Sequence, residues 1–239
     1  MKTQQIEYRD ASKRFAGELF WDDARGGRRA GVIVFPEAYG LNDHAREKAR
    51  QLAQEGYVAL AADLHGDARL YPDLASVRSA IRAMYADRAA WRSMAQAAFD
   101  ALAAQPLVDA TKIAAIGFCF GGATCFELAR SGVPLAAIVT FHAGLLAELP
   151  EDAGRNRAKV LVCHGAEDPI AKKEVIDAVM AELRRDRIDW QFVHYGNAGH
   201  SFTNRHADAL DMPGFRYNPT VEARSWALMR ALFAEALGA

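Results

Sequence analysis

Ile113-Ala114-Ala115-Ile116-Gly117-Phe118-Cys119-Phe120-Gly121-Gly122 is the stretch that decides the fold. A short apolar run ends in Gly-x-Cys-x-Gly, and a helix-like segment from Ala123 to Arg130 follows. A side chain at the tip of such a strand–turn–helix is held in a strained backbone and stands clear of its neighbours. Gly117 and Gly121 suit a place where helix and strand cross too closely for a Cβ. The amide of Phe120 falls at the new helix N-terminus, where it can face a developing oxyanion. A thiol at the tip can serve as an acyl-transfer nucleophile. The five-residue pattern alone fits equally a small apolar Cys119 between two turn glycines.

Outward from this stretch, strand-like and helix-like segments alternate. Ile6 to Arg9 and Phe15 to Trp21 suggest an opening antiparallel hairpin. Gly31 to Phe35, Tyr57 to Ala62, Ala136 to Phe141 and Val160 to Cys163 are apolar runs of the kind buried on both faces of a sheet. Trp190 to Tyr195 reads as the last strand. Helical spacing links Ala45, Ala49, Leu52 and Ala53, with Asn42 or Asp43 as cap and Gly56 as terminator. Leu74, Val77, Ile81 and Tyr85 mark a second helix, and Trp91, Met94, Ala95, Ala98 and Leu102 a third, with Asp87 as a cap between them. Val175, Val179 and Leu183 stripe another helix, and Thr220 to Leu237 closes the chain as an amphipathic one. Glu151 to Lys159 is expected to be a surface loop. The pattern predicts an α/β fold with a mostly parallel, doubly wound sheet and helices on both faces, as one domain over 1–239.

Composition narrows the partners. The 239 residues carry 29 Lys plus Arg against 30 Asp plus Glu, a net charge of −1. That balance points to neither nucleic acid nor an anionic membrane. No run of about 20 apolar residues is present, so no membrane-spanning helix is expected. Three cysteines without paired spacing argue against a disulfide framework or a zinc site, and Cys125 and Cys163 are expected in the core. A free thiol and a polar N-terminus with no apolar signal region fit a cytoplasmic location, although an absent leader stays open.

In sheets of this type, sites form beyond the carboxyl ends of the strands. Glu37, Cys119, His142, Asp168 and His200 all follow predicted strands. Cys119 needs a base to form thiolate near neutrality, since a free thiol titrates at about 8.5. His200, in Gly196-Asn197-Ala198-Gly199-His200-Ser201-Phe202, is the best-placed base, and Asp168 can fix its tautomer. The order nucleophile, acid, histidine is that of the α/β-hydrolase arrangement. Taken singly, Asp168 before Pro169 could be a turn former, Glu37 a solvated loop acid and His200 a surface histidine. Three separate loops supplying nucleophile, acid and base in order favour a shared catalytic role. His142, His164 and His194 are expected to be structural, and His65 is open.

The chain resembles the dienelactone hydrolase family of α/β hydrolases. The resemblance rests on Pro36-Glu37-Ala38-Tyr39-Gly40-Leu41-Asn42, Gly56-Tyr57-Val58-Ala59 with Ala62-Asp63-Leu64, Gly117 to Gly122, His164-Gly165-Ala166-Glu167-Asp168, and Ala198-Gly199-His200-Ser201-Phe202. It implies a Cys119–His200–Asp168 triad, an oxyanion hole from the amides of Phe120 and Ala38, and contact between Glu37 and the resting thiol. No metal or organic cofactor is implied. The implied reaction is hydrolysis of small esters or lactones through a thioester at Cys119, by a monomer or small homo-oligomer.

One departure bears on specificity. Dienelactone-specific members hold a substrate carboxylate with two arginines. Here Arg69 is displaced by a few residues from one position, and Asn204, with Arg205 adjacent, stands at the other. A bidentate clamp tolerates little displacement. Ester hydrolysis is therefore implied but strict dienelactone specificity is not; Tyr39, Arg69, Tyr85, Phe202 and Arg205 are the candidate substrate-binding residues, and residues between Leu70 and Trp91 are expected to line the acyl or alcohol pocket with Tyr39 and Phe202. A true dienelactone hydrolase, a redox-responsive thiol protein and a partner-binding hydrolase homologue are the alternatives.

Overall fold

The computed structural model describes residues 1–238; Ala239 and the side chain of Leu74 lie outside that description, including Leu74's expected place on a helical stripe. Strands β1 (Lys2–Arg9) and β2 (Arg14–Trp21) form the expected antiparallel hairpin. The apolar runs become β3 (Arg29–Phe35), β4 (Val58–Ala61), β5 (Val108–Phe118), β6 (Ala137–Phe141), β7 (Lys159–Gly165) and β8 (Trp190–Tyr195). They join in one sheet of order β1-β2-β4-β3-β5-β6-β7-β8, parallel from β4 to β8. The helices are α1 (Asp43–Gln54), α2 (Leu74–Ala86), α3 (Arg88–Ala103), α4 (Phe120–Arg130), α5 (Lys173–Arg185) and α6 (Pro219–Leu237).

Two apolar clusters cover the two faces of the sheet. Leu52 of α1 and Phe233 of α6 belong to one, and Trp91 of α3, Leu128 of α4 and Leu183 of α5 to the other. This is why β3, β4 and β6 read as continuous apolar runs rather than alternating ones. Asn42 caps α1 by accepting from the amide of Ala45 at 3.1 Å, and Asp87 caps α3 through Ala90 at 2.9 Å.

The fold places the site at one point. The chain passes from β3 to β4 on one side and then returns to β5 on the other, so β3 and β5 flank the switch in strand order. The crevice beyond such a switch is where sites in these sheets form. The loop after β3 carries Glu37, Ala38 and Tyr39; the turn after β5 carries Cys119.

One expectation is corrected. Residues 151–159 are more than a surface loop. Pro150–Asp152 form a 3₁₀ turn, and the buried Asp152 receives Nη1 and Nη2 of Arg92 at 2.7 Å each. The run of polar residues hides an inward carboxylate that needs an arginine from another element.

Candidate active site

Cys119 sits between β5 and α4 with φ 53° and ψ −114°, a conformation that costs a non-glycine residue on the order of 1–3 kcal/mol. The neighbouring glycines allow it. A Cβ on Gly117 would lie 2.1 Å from the carbonyl oxygen of Gly121, and one on Gly121 would lie 2.2 Å from that of Phe35. The turn is tied down because the Cys119 amide donates to Phe141 at 3.1 Å and its carbonyl accepts from Gly144 at 3.1 Å. Cys119 is half-buried, whereas Cys125 and Cys163 are buried in the core as expected. Burial pushes the Cys163 thiol up to about 12.

His200 follows β8 and is completely buried. Its Nδ1 lies 2.7 Å from Oδ2 of Asp168, the residue whose other oxygen accepts from the Ile170 amide at 2.8 Å. The segment Gly214–Arg216 clamps the His200 backbone, with His200 N–H on Gly214 O at 2.7 Å and Arg216 N–H on His200 O at 3.1 Å. Phe215 covers the imidazole, ring centroids 4.6 Å apart. Burial disfavours the imidazolium, but the charges of Cys119 and Asp168 outweigh it and raise His200 to about 10. Nε2 is buried with no formed hydrogen bond among the described residues. It is turned to the thiol, yet the geometry falls short of a formed bond.

Two amides point to the oxyanion role. Phe120 N–H is at the first position of α4 and Ala38 N–H lies in the loop after β3; neither donates to a protein acceptor among the described residues. Phe120 is held by stacking on Trp91 at 4.8 Å and 7°.

Glu37 departs from expectation. Its carboxylate is buried but forms no hydrogen bond to Cys119. It accepts from Asn204 Nδ2 at 2.8 Å, Asn42 Nδ2 at 3.3 Å and Ser201 Oγ at 3.4 Å. Asn42 thus serves twice, its oxygen capping α1 and its amino group holding Glu37. Three neutral donors thus satisfy the carboxylate.

The candidate substrate residues divide. Tyr39 lines a cleft of about 590 Å³ with Cys119, Glu37, Tyr71 and Phe215. Tyr85 stands nearby, its ring 6.1 Å from Phe120, and burial with the Cys119 charge pushes its phenol up to about 12. Phe202 is corrected: it is fully buried beneath the site against His142, ring centroids 5.0 Å apart, and cannot touch substrate. Arg205 is corrected too. It is exposed outside this cleft, where it interacts with Tyr217 and Glu222, because Thr203 and Asn204 turn inward and leave it outward. Arg69 is exposed, lies over Tyr71 at 4.9 Å and does not line the cleft.

Tyr71 lines the cleft from within the Leu70–Trp91 segment expected to do so, whereas sequence reasoning missed Phe215 and Ser201. The turn-forming Met212-Pro213-Gly214 before Phe215 was the available signal for the first. His142 and His164 are buried, as expected of structural residues, and His65 donates to the Ala38 carbonyl at 2.7 Å.

The family model described as dienelactone hydrolase family matches residues 15–237. A Salmonella typhimurium protein provisionally named carboxymethylenebutenolidase is 28% identical over 215 residues, covering 85% of this chain and 76% of its own. The solved structure called m3DLH is 64% identical with a TM-score of 0.98, covering 99% of this chain and 98% of its own. A dienelactone hydrolase-like promiscuous phosphotriesterase from metagenomic libraries is 57% identical with a TM-score of 0.96, covering 98% of both chains.

Proposed function

The chain belongs to the dienelactone hydrolase family and is a hydrolase, and from that premise we propose that it cleaves small carboxylic esters or lactones through a thioester on Cys119. The observation that carries the proposal is the buried Asp168–His200 pair at 2.7 Å, its free Nε2 turned to a thiol on a strained elbow.

In this mechanism Nε2 of His200 takes the thiol proton while Asp168 holds Nδ1–H and so fixes the ring. Sγ attacks the ester carbonyl, and the amides of Phe120 and Ala38 stabilise the oxyanion. The intermediate collapses to the thioester, and His200 gives its proton to the departing alkoxide. A water deprotonated by His200 then attacks the thioester, releasing acid and restoring the thiol. The members of this set come from the ends of β3, β5, β7 and β8, which lie on one edge of the sheet.

A second reading is favoured by the 57% identity to the promiscuous phosphotriesterase. The same thiol and amides can address a phosphoryl centre, since its equatorial oxygens also gather negative charge in the transition state.

A panel of p-nitrophenyl esters of rising acyl length, beside a carboxylate-bearing lactone and a p-nitrophenyl phosphotriester, tests both. The expected result is fastest turnover of short neutral esters, lost in Cys119→Ala. Undiminished turnover in Cys119→Ala would overturn the mechanism. No helix among the described residues is long and apolar enough to cross a membrane.

A further inference from the structure

Resting on the hydrolase reading above, we propose that the cleft at Cys119 takes a substrate bearing a positive charge, an alkylammonium ester or lactone, with Glu37 as its counter-charge.

Glu37 is 5% exposed, and its three hydrogen-bond neighbours all donate: two amide NH₂ groups and a hydroxyl. That donor set suits an acceptor-only carboxylate. The only basic group within 4.0 Å among the described residues is His44, whose Nδ1 is 3.7 Å from Oε2. Burial lowers the His44 pKa despite the Glu37 charge, so the ring sits there neutral. Its Nδ1 lacks a hydrogen bond. The carboxylate therefore has no cation as partner among the described residues, and a buried charge without one is costly.

The surrounding wall has the same character. Among the described residues no lysine or arginine lines the cleft, and the exposed Asp43 and Asp73 are part of its lining. Two flanking guanidinium groups are engaged elsewhere: Arg46 pairs with Glu18 at 3.0 Å, and Arg69 lies over the Tyr71 ring at 4.9 Å. Tyr39 and Phe215 line the cleft with aromatic surface, while the ring of Tyr71 already carries Arg69. Aromatic faces beside a carboxylate are the chemistry that recognises ammonium groups. The same charge repels a carboxylate-bearing lactone, which the displaced arginines would no longer offset.

The test varies charge while keeping the reacting end constant. Methanethiosulfonates with an ethyl, 2-(trimethylammonium)ethyl or 2-sulfonatoethyl tail each react with the Cys119 thiolate. An S–S bond forms, the S–SO₂ bond breaks and methanesulfinate leaves with the electron pair. Rates at Cys119 are read by peptide mass at pH 8 and normalised to a small free thiol. Taking the cation-to-anion ratio cancels any change in thiolate fraction. In the wild-type protein we expect that ratio to exceed the free-thiol ratio about tenfold, and Glu37→Gln to bring it back toward the free-thiol value. A wild-type ratio at or below the free-thiol value overturns the proposal without recourse to any variant.

Turnover separates this from the hydrolase reading. Acetylcholine, its neutral isostere 3,3-dimethylbutyl acetate and 3-acetoxypropionate are followed by pH-stat. The expected order in kcat/KM is cationic, neutral, anionic, with the first two about tenfold apart. Equal kcat/KM values for the first two overturn charge selection and leave the esterase standing. Reagent selectivity without hydrolysis of any ester overturns the esterase and leaves a cation-selective cleft.

Discussion

His65 donates its Nε2–H to the carbonyl oxygen of Ala38 at 2.7 Å. A carbonyl only accepts, so the proton must be on Nε2. Burial lowers the His65 pKa, keeping the ring neutral, and Tyr71 packs edge-on against it at 4.8 Å. The loop that carries one proposed oxyanion donor is thereby fastened to the loop after β4, a contact repeated by Tyr71 N–H on Tyr39 O at 3.0 Å.

His65→Phe should accordingly lower kcat by about tenfold or more while leaving KM within a few-fold, because a misplaced oxyanion donor weakens the transition state more than the bound ester. Steady-state kinetics on a short p-nitrophenyl ester reads this. A rise in KM with kcat unchanged would place His65 in substrate binding instead.

Arg130 should matter for stability rather than catalysis. It is 1% exposed and joins Glu127 at 2.9 Å and Glu182 at 3.0 Å, while Glu127 also receives Arg88 and Arg92. Arg130→Met strands the buried Glu182, leaves Glu127 with Arg88 and Arg92, and should cost on the order of 3–5 kcal/mol. Urea unfolding followed by circular dichroism measures it; a loss below about 1 kcal/mol would mean the remaining arginines suffice.

Acid should loosen the fold through His142. Burial holds its pKa well below the ordinary value, with the charge of His200 adding to the effect. A folded pKa below the unfolded one gives stability that is present above about pH 6.5 and lost as pH falls through the folded pKa. His142→Gln can retain the bond to Thr203 Oγ1, 2.8 Å from Nε2 in the wild type, without gaining a charge. Its urea midpoint should fall less steeply than wild type between about pH 6.5 and pH 4.5. Parallel curves would assign the acid limb to other groups.

Much of this architecture was legible because it rests on local rules. Continuous apolar runs identified buried parallel strands, and Asn42 and Asp87 identified helix starts. The close pair Gly117 and Gly121 marked the elbow. Arg205 was misread because one step along a turn reverses the side-chain direction, and no periodicity fixes direction in a loop. Phe202 was misread for the same reason. Glu37 lines the same cleft as Cys119, but its partners Asn204 and Ser201 come from more than 160 positions away, beyond any local pattern. The ionic group around Glu127 was invisible because charged residues on an amphipathic helix look like a solvated face until the packing partner is known.

The most direct measurement of the central claim is trapping of the acyl-enzyme. Wild-type protein is mixed with p-nitrophenyl acetate, quenched in acid within the first turnover and digested for mass spectrometry. The account predicts one acetyl group on the peptide containing Cys119, removable by neutral hydroxylamine as a thioester. It also predicts that the adduct, once formed, persists longer in His200→Gln than in the wild type, because His200 activates the water that removes it. An acetyl group on another residue of the wild type, or full turnover in Cys119→Ala, would contradict it.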